Sequence, residues 1–131
     1  MTGNIAIRSA LFSVYHKDCL EEIANELIKN EVTIYSTGGT AKYLEGLGAK
    51  IIEVADLTGY PSILGGRVKT LHPKVHGGIL ARRSKEEDVN TLAEFDIPPI
   101  DLVVVDLYPF EETVASGASE SAIIEKIDIG G

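Results

Sequence analysis

The sequence predicts a three-layer α/β sandwich with a mainly parallel sheet, and three observations carry that prediction. Short apolar runs rich in strand formers alternate with stretches whose apolar residues recur at helical spacing, the pattern of a sheet covered by helices. The run Leu102 to Leu107 (Leu-Val-Val-Val-Asp-Leu) is almost continuously apolar, as a central parallel strand is. A length of 131 residues with 44% hydrophobic and 24% charged side chains fits one domain, 1–131, and leaves no room for a second core.

Taken in order, Ala6 to Val14 reads as a first, buried strand. Asp18 precedes Leu20, Ile23, Ala24, Leu27 and Ile28, one apolar stripe on a helix, with Asp18 as N-cap and Glu21 three residues on. Cys19 falls at the start of that helix and is expected to pack inside. Val32 to Tyr35 is a second strand leading into Ser36-Thr37-Gly38-Gly39-Thr40. A helix over Ala41 to Leu47 follows, stopped by Gly48 at C′, and Lys50 to Val54 is a third strand. Ala55 to Gly78 carries seven glycines and prolines and reads as a long irregular segment, which inside a compact domain is usually functional. Ile79 to Ala81 reads as a short strand. Ser84 to Phe95 reads as a helix with a Ser84–Glu87 capping box. Pro98-Pro99 then breaks the chain before the strand at Leu102, and Ser119 to Ile127 is a last helix.

Composition narrows the function. No apolar run approaches the roughly 20 residues that cross a bilayer, and Met1 to Arg8 lacks the pattern of a secretory signal. One cysteine excludes an internal disulfide and suits a reducing cytoplasm. A net charge of −8 argues against general nucleic-acid binding. Yet Leu57 to Lys85 holds no Asp or Glu, while Arg67, Lys69, Lys74, Arg82, Arg83 and Lys85 are half of the 12 basic residues. Such a segment in an acidic chain is either a focused site for a small anion or a solvated basic loop.

Four segments carry candidate chemistry, most of them just beyond the carboxyl ends of strands, where open α/β sheets bind ligands. In Ser36 to Thr40, glycines let backbone N–H groups approach a phosphate at a helix N-terminus, and Thr37 and Thr40 can donate hydroxyls. The same residues would equally make a tight turn with Thr40 as cap. In Gly65 to Gly78, Arg67 can hold phosphate oxygens bidentately and Lys69 offers a mobile ammonium. A metal site on His72 and His76 lacks nearby acidic or cysteine ligands; His72, beside Pro73, reads as a hydrogen-bonding structural residue. Asp106-Leu107-Tyr108-Pro109-Phe110 leaves the Tyr108 phenol near a strand tip, as a ligand contact or as a rim aromatic, and Phe110 turns back to the core. In Ile127-Asp128-Ile129-Gly130-Gly131, a carboxylate between isoleucines could serve as a base or hold polar hydrogens.

These segments, in this order, resemble the inosine monophosphate (IMP) cyclohydrolase domain of the bifunctional purine-biosynthesis enzyme family, from about Ala6 to Gly131. The run from Gly65 through His76 to Arg82 is the most specific; Ser-Thr-Gly-Gly-Thr-Ala-Lys, Asp-Leu-Tyr-Pro-Phe and Ile-Asp-Ile-Gly-Gly add to it. The resemblance implies a methylglyoxal-synthase-like fold and the conversion of 5-formamidoimidazole-4-carboxamide ribonucleotide (FAICAR) to IMP and water, with no metal or redox cofactor. It implies nucleotide contacts at Tyr15, His16, Lys17, Thr37, Gly38, Gly39, Thr40, Arg67, Val68, Lys69, Thr70, Val105, Asp106, Asp128 and Ile129. Lys69, Tyr108 and Asp128 would surround the reacting groups, and the phosphate would rest on Lys17 and the Thr37–Thr40 turn.

The chain departs from the family pattern in three places. Tyr15-His16-Lys17 stands where Ser-Asp-Lys is frequent. Asp106 stands where Asn is common, so either a different hydrogen-bond partner or a protonated carboxyl is required. The family continues past Gly-Gly into a segment with a catalytic lysine and then a formyltransferase domain, which makes FAICAR from the aminoimidazole carboxamide ribonucleotide and 10-formyltetrahydrofolate. The chain is therefore expected to be a truncated piece of a cytoplasmic, homodimeric parent, weakly active or inactive alone. Two rivals remain: a methylglyoxal synthase acting on dihydroxyacetone phosphate, whose loop favours Thr-Thr-Gly, and a non-catalytic anion sensor.

Overall fold

The computed structural model describes residues 6–66, 68–106, 114–117 and 119–121. Among them run β1 (Ser9–Ser13), α1 (Leu20–Lys29), β2 (Thr33–Ser36), α2 (Gly38–Gly46), β3 (Ile51–Glu53), α3 (Val54–Thr58), α4 (Pro73–Leu80), α5 (Glu86–Glu94) and β4 (Leu102–Val105). The strands form a parallel sheet of order β3-β2-β1-β4, with Ala10 level with both Ile34 and Leu102. All strands point the same way, so the chain leaves β1, β2 and β4 along one edge.

Strand alternation sorts the core onto two faces. Ala10, Phe12 and Ile34 meet Leu20, Ala24 and Leu27 of α1 and Leu44 of α2 on one side. Leu11 and Tyr35 meet Val54, Val75 of α4 and Ile100 on the other. Helices thus cover both faces, the expected three-layer arrangement. Burial raises the phenol pKa of Tyr35.

Several local expectations need correction. Cys19 is exposed, not packed inside: it takes left-handed φ 61° at the N-cap of α1, one residue ahead of the buried stripe that begins at Leu20. Asp18 is therefore not the cap. Ile23 lies at the margin of that stripe and is 45% exposed. The segment Ala55 to Gly78 is only partly irregular. α3 ends at Gly59 (φ 69°), and Pro73 starts α4, which runs on through Ile79 and Leu80, so no strand forms there. Lys85, not Ser84, caps α5; Lys85 N–H closes a turn onto Arg82 O, which leaves Ser84 inside it. Glu86, Glu87 and Asp88 complement the N-terminal dipole instead. The Arg82 guanidinium holds the Asp88 carboxyl down at about 2. β4 pairs with β1 and ends the described sheet rather than lying inside it, and β1 takes an inner place. Gly48, at φ 98°, follows α2 as expected. The proposed last helix lies mostly outside the described residues, as does Phe110.

The amino ends of β1 and β4 are tied by Asp101. Its carboxylate accepts from Arg8 N–H at 2.8 Å and Ser9 N–H at 3.2 Å and pairs with Arg83, whose second nitrogen donates to Ile100 O at 3.0 Å. This network lies at the strand ends opposite the candidate site.

Candidate functional site

Three chain exits converge at the carboxyl edge: residues 14–17 after β1, the Thr37–Thr40 turn after β2, and Asp106 after β4. The order 3-2-1-4 reverses direction at β1, so this is also the switch point, where a crevice opens between neighbouring loops.

The glycine turn is the start of α2 itself. Thr37 is extended, Gly38 takes φ 58°, and the helix runs from Gly38 with no cap from the Thr37 side chain and no acidic residue in its first turn. Its first N–H groups therefore keep their partial positive charge, an arrangement that receives an anion. The Thr40 hydroxyl is engaged within the fold. Thr40 Oγ1 is buried, donates to Val14 O at 2.9 Å and accepts from Val14 N–H at 3.2 Å, joining the turn to the end of β1. Ser36 Oγ adds a second tie, donating to Phe12 O at 2.8 Å.

Lys17 returns over the same point. Its Nζ donates to Val14 O and lies 3.4 Å from both Tyr15 O and Thr40 Oγ1. The ammonium is thus held beside the N-terminus of α2, where Gly39 is exposed and no atom of the described residues lies within 4 Å of its Cβ position.

The second basic group comes from the hairpin. Ile63 and Val68 pair across a turn in which Leu64, Gly65 and Gly66 all take positive φ (55°, 67° and 84°). That reversal returns residues 68–70 toward α2. The Lys69 Nζ stands 3.8 Å from where a Cβ on Gly38 would be, so its ammonium lies against the turn. Thr70 is buried, and its carbonyl accepts from His72 N–H at 2.8 Å. His72 is structural, as expected: it caps α4, its Nδ1 accepting from Lys74 N–H at 3.0 Å, with Pro73 at the first helical position. The buried Nε2 of His76 has no partner among the described residues. Among those residues no group of three His, Cys, Asp or Glu could hold a metal ion.

Asp106 resolves the question its position raised. Oδ1 accepts from Tyr15 N–H at 2.6 Å; Oδ2 accepts from His16 N–H at 2.9 Å and lies 3.1 Å from His16 Nδ1. Burial opposes the charge, but these N–H groups outweigh it and hold the Asp106 carboxyl below its ordinary value. The partner is a pair of backbone donors, and the carboxyl is ionised. Val105, beside it, is half-exposed.

The structure thus brings together Tyr15, His16, Lys17, Thr37, Gly38, Gly39, Thr40, Lys69 and Asp106, with Val68, Thr70 and Val105 on the adjoining segments. Arg67, Tyr108, Asp128 and Ile129 lie outside the described residues. The Thr40–Val14 tie was missed by sequence reasoning, because a threonine after two glycines carries no signal of what its hydroxyl reaches.

The family model for the MGS-like domain matches residues 19–131. Over 131 residues the chain is 60% identical to the bifunctional purine biosynthesis protein PurH of Bacteroides thetaiotaomicron, covering 100% of this chain and 26% of that protein. It is 52% identical over 132 residues to the protein of the same name from Rhodopirellula baltica, covering 100% of this chain and 25% of that one. The chain therefore spans about a quarter of the length of these curated relatives. The crystal structure of ForH superposes with a TM-score of 0.78 at 38% identity, over 94% of this chain and 62% of that chain. No helix among the described residues is long and apolar enough to cross a membrane. With its parallel sheet, its loops gathered at one edge and a family match over most of its length, the chain belongs to the MGS-like domain family.

Proposed function

We propose that the chain is the IMP cyclohydrolase domain of a bifunctional purine-biosynthesis enzyme, closing FAICAR to IMP with loss of water. The observation that carries this reading is the convergence of two ammonium groups, Lys17 and Lys69, on the N-terminus of α2, which the Thr37 side chain does not cap. A phosphate monoester fits that combination of backbone donors, helix dipole and fixed positive charge. The names of the similar proteins support the nucleotide as its carrier.

In the ring closure the carboxamide nitrogen attacks the formyl carbon of the same molecule. A C–N bond forms and the formyl oxygen takes negative charge. Its C–O bond then breaks and it leaves as water, taking one hydrogen from the carboxamide nitrogen and one from the formamido nitrogen, which becomes doubly bonded to the former formyl carbon. Holding the two groups face to face removes much of the barrier, and the rest is proton management on a weak nucleophile. Lys17 and the Thr37–Thr40 turn hold the phosphate, with Arg67 alongside. Lys69 stabilises the developing oxyanion, and the family resemblance assigns Asp128 to orienting or deprotonating the carboxamide and Tyr108 to the reacting groups. Val68, Thr70, Val105 and Ile129 complete the nucleotide contacts. The chemistry requires no metal or redox cofactor. The parent enzyme also carries the formyltransferase that uses 10-formyltetrahydrofolate, and works as a cytoplasmic homodimer; neither nucleic acid nor membrane is a partner.

The Lys69 ammonium lies against the phosphate end of the turn, so a binding role competes with the oxyanion role. One variant separates them. Lys69→Ala lowers FAICAR turnover by about 100-fold or more, as loss of an oxyanion donor does, while IMP affinity falls less than about tenfold. Equal losses in both make Lys69 a binding residue only. IMP binding without any cyclisation by the chain, even when extended through the segment that follows Gly-Gly in the family, favours a nucleotide-sensing module. Methylglyoxal and free phosphate formed from dihydroxyacetone phosphate would replace the proposal with the synthase.

A further inference from the structure

Tyr15 and His16, just after β1, and Asp106, just after β4, meet at the mouth of the site. We propose that Asp106 is a positioning residue that acts through the 14–17 loop, and that His16 and Asp106 form a reciprocal pair which together sets where the Lys17 ammonium stands. This rests on the nucleotide reading of the site.

Geometry supports the assignment. Both carboxylate oxygens of Asp106 are engaged, one on Tyr15 N–H at 2.6 Å and the other on His16 N–H at 2.9 Å with His16 Nδ1 at 3.1 Å. Those donors belong to the two residues just before Lys17, whose Nζ folds back onto Val14 O and Thr40 Oγ1. Asp106 therefore fixes the loop from outside while Lys17 and Thr40 fix it from inside. A carboxylate can accept from both amides at once. An asparagine there offers one acceptor oxygen and turns its NH₂ toward the second N–H, so it serves the loop only if position 16 supplies an acceptor for that NH₂. An aspartate at 16 would do so; the histidine suits the carboxylate in the tautomer that carries its hydrogen on Nδ1. Acidic group and partner can thus exchange places, but neither can change alone.

The experiment is a double-mutant cycle on the 131-residue chain with Asp106→Asn, His16→Asp and the pair together. It reads amide exchange at positions 15 and 16, the affinity for IMP, and Tm. Asp106→Asn is expected to speed exchange at the one amide that loses its acceptor, and His16→Asp to set two carboxylates against each other; each weakens IMP binding about tenfold with Tm nearly unchanged, and the double variant recovers affinity while that one amide stays fast. An Asp106 that touched the nucleotide itself would lose affinity in every variant lacking its carboxylate, the double included, and that result overturns the proposal. So does a loss of affinity that only follows Tm. A wild-type chain that does not bind IMP contradicts the nucleotide reading instead, and amide exchange alone then decides whether the His16–Asp106 pair holds the loop.

Discussion

Gly78→Ala lowers the unfolding free energy by about 3 kcal/mol, although alanine is the better helix former by about 1 kcal/mol. Gly78 lies inside α4 with helical backbone, so propensity alone predicts a gain. Packing reverses the sign. A Cβ there would stand 2.4 Å from Pro98 O and 3.2 Å from Ile100 Cγ1. The backbone cannot retreat freely, because Gly78 O accepts from Ile100 N–H at 3.0 Å. The glycine lets α4 lie directly on the segment that leads into β4, seating Val75 against Leu11 and Tyr35. Gly46→Ala is the control: no atom of the described residues lies within 4 Å of its Cβ position at the end of α2, so its Tm stays level or rises slightly. A Gly78→Ala chain as stable as wild type in denaturant titration would mean that α4 does not pack on residues 98–100.

Asp101→Ala costs about 3 kcal/mol at neutral pH. Its side chain is only 8% exposed, and removal strands the Arg83 guanidinium and the N–H groups of Arg8 and Ser9. The loss is pH-dependent, with a defined sign. Burial disfavours the charged carboxylate, but the Arg8 N–H and Arg83 outweigh it and hold Asp101 below its ordinary value. A carboxyl with a lowered folded pKa stabilises fully above the ordinary range near 4 and loses that contribution as pH falls through the folded value. The gap between wild type and Asp101→Ala, measured by urea unfolding, should therefore be widest at neutral pH and close toward pH 2. A gap that widens on acidification would contradict the role given to Asp101.

The fold was largely legible in the sequence, because period-2 and helical apolar patterns survive in β1, β2, α1 and α2. Where it was not, local composition misled. Pro73, Gly77 and Gly78 read as loop punctuation; in fact Pro73 starts α4 with a His72 cap, and Gly78 is required for close approach. Ser84 matched a capping pattern, but Arg82 draws Asp88 onto itself and the chain turns at Lys85 instead. Cys19 lies next to a buried stripe in sequence and outside it in space, because a left-handed residue precedes the helix. At the site, residue types suggested a phosphate at the Gly38-Gly39 turn and at Arg67 and a mobile ammonium at Lys69, while Lys17 came only with the family resemblance. They could not show that Asp106 spends its carboxylate on backbone amides some ninety residues away, since backbone donors have no signature in side-chain identity.

The most direct measurement is a calorimetric titration of IMP into this chain at low salt, repeated with Lys17→Ala. Saturable binding, weakened about tenfold or more by Lys17→Ala with Tm preserved, is the predicted result, since one charge-assisted phosphate contact carries roughly that much. No binding at millimolar IMP, or binding indifferent to Lys17, would contradict a nucleotide site at the carboxyl ends of β1 and β2.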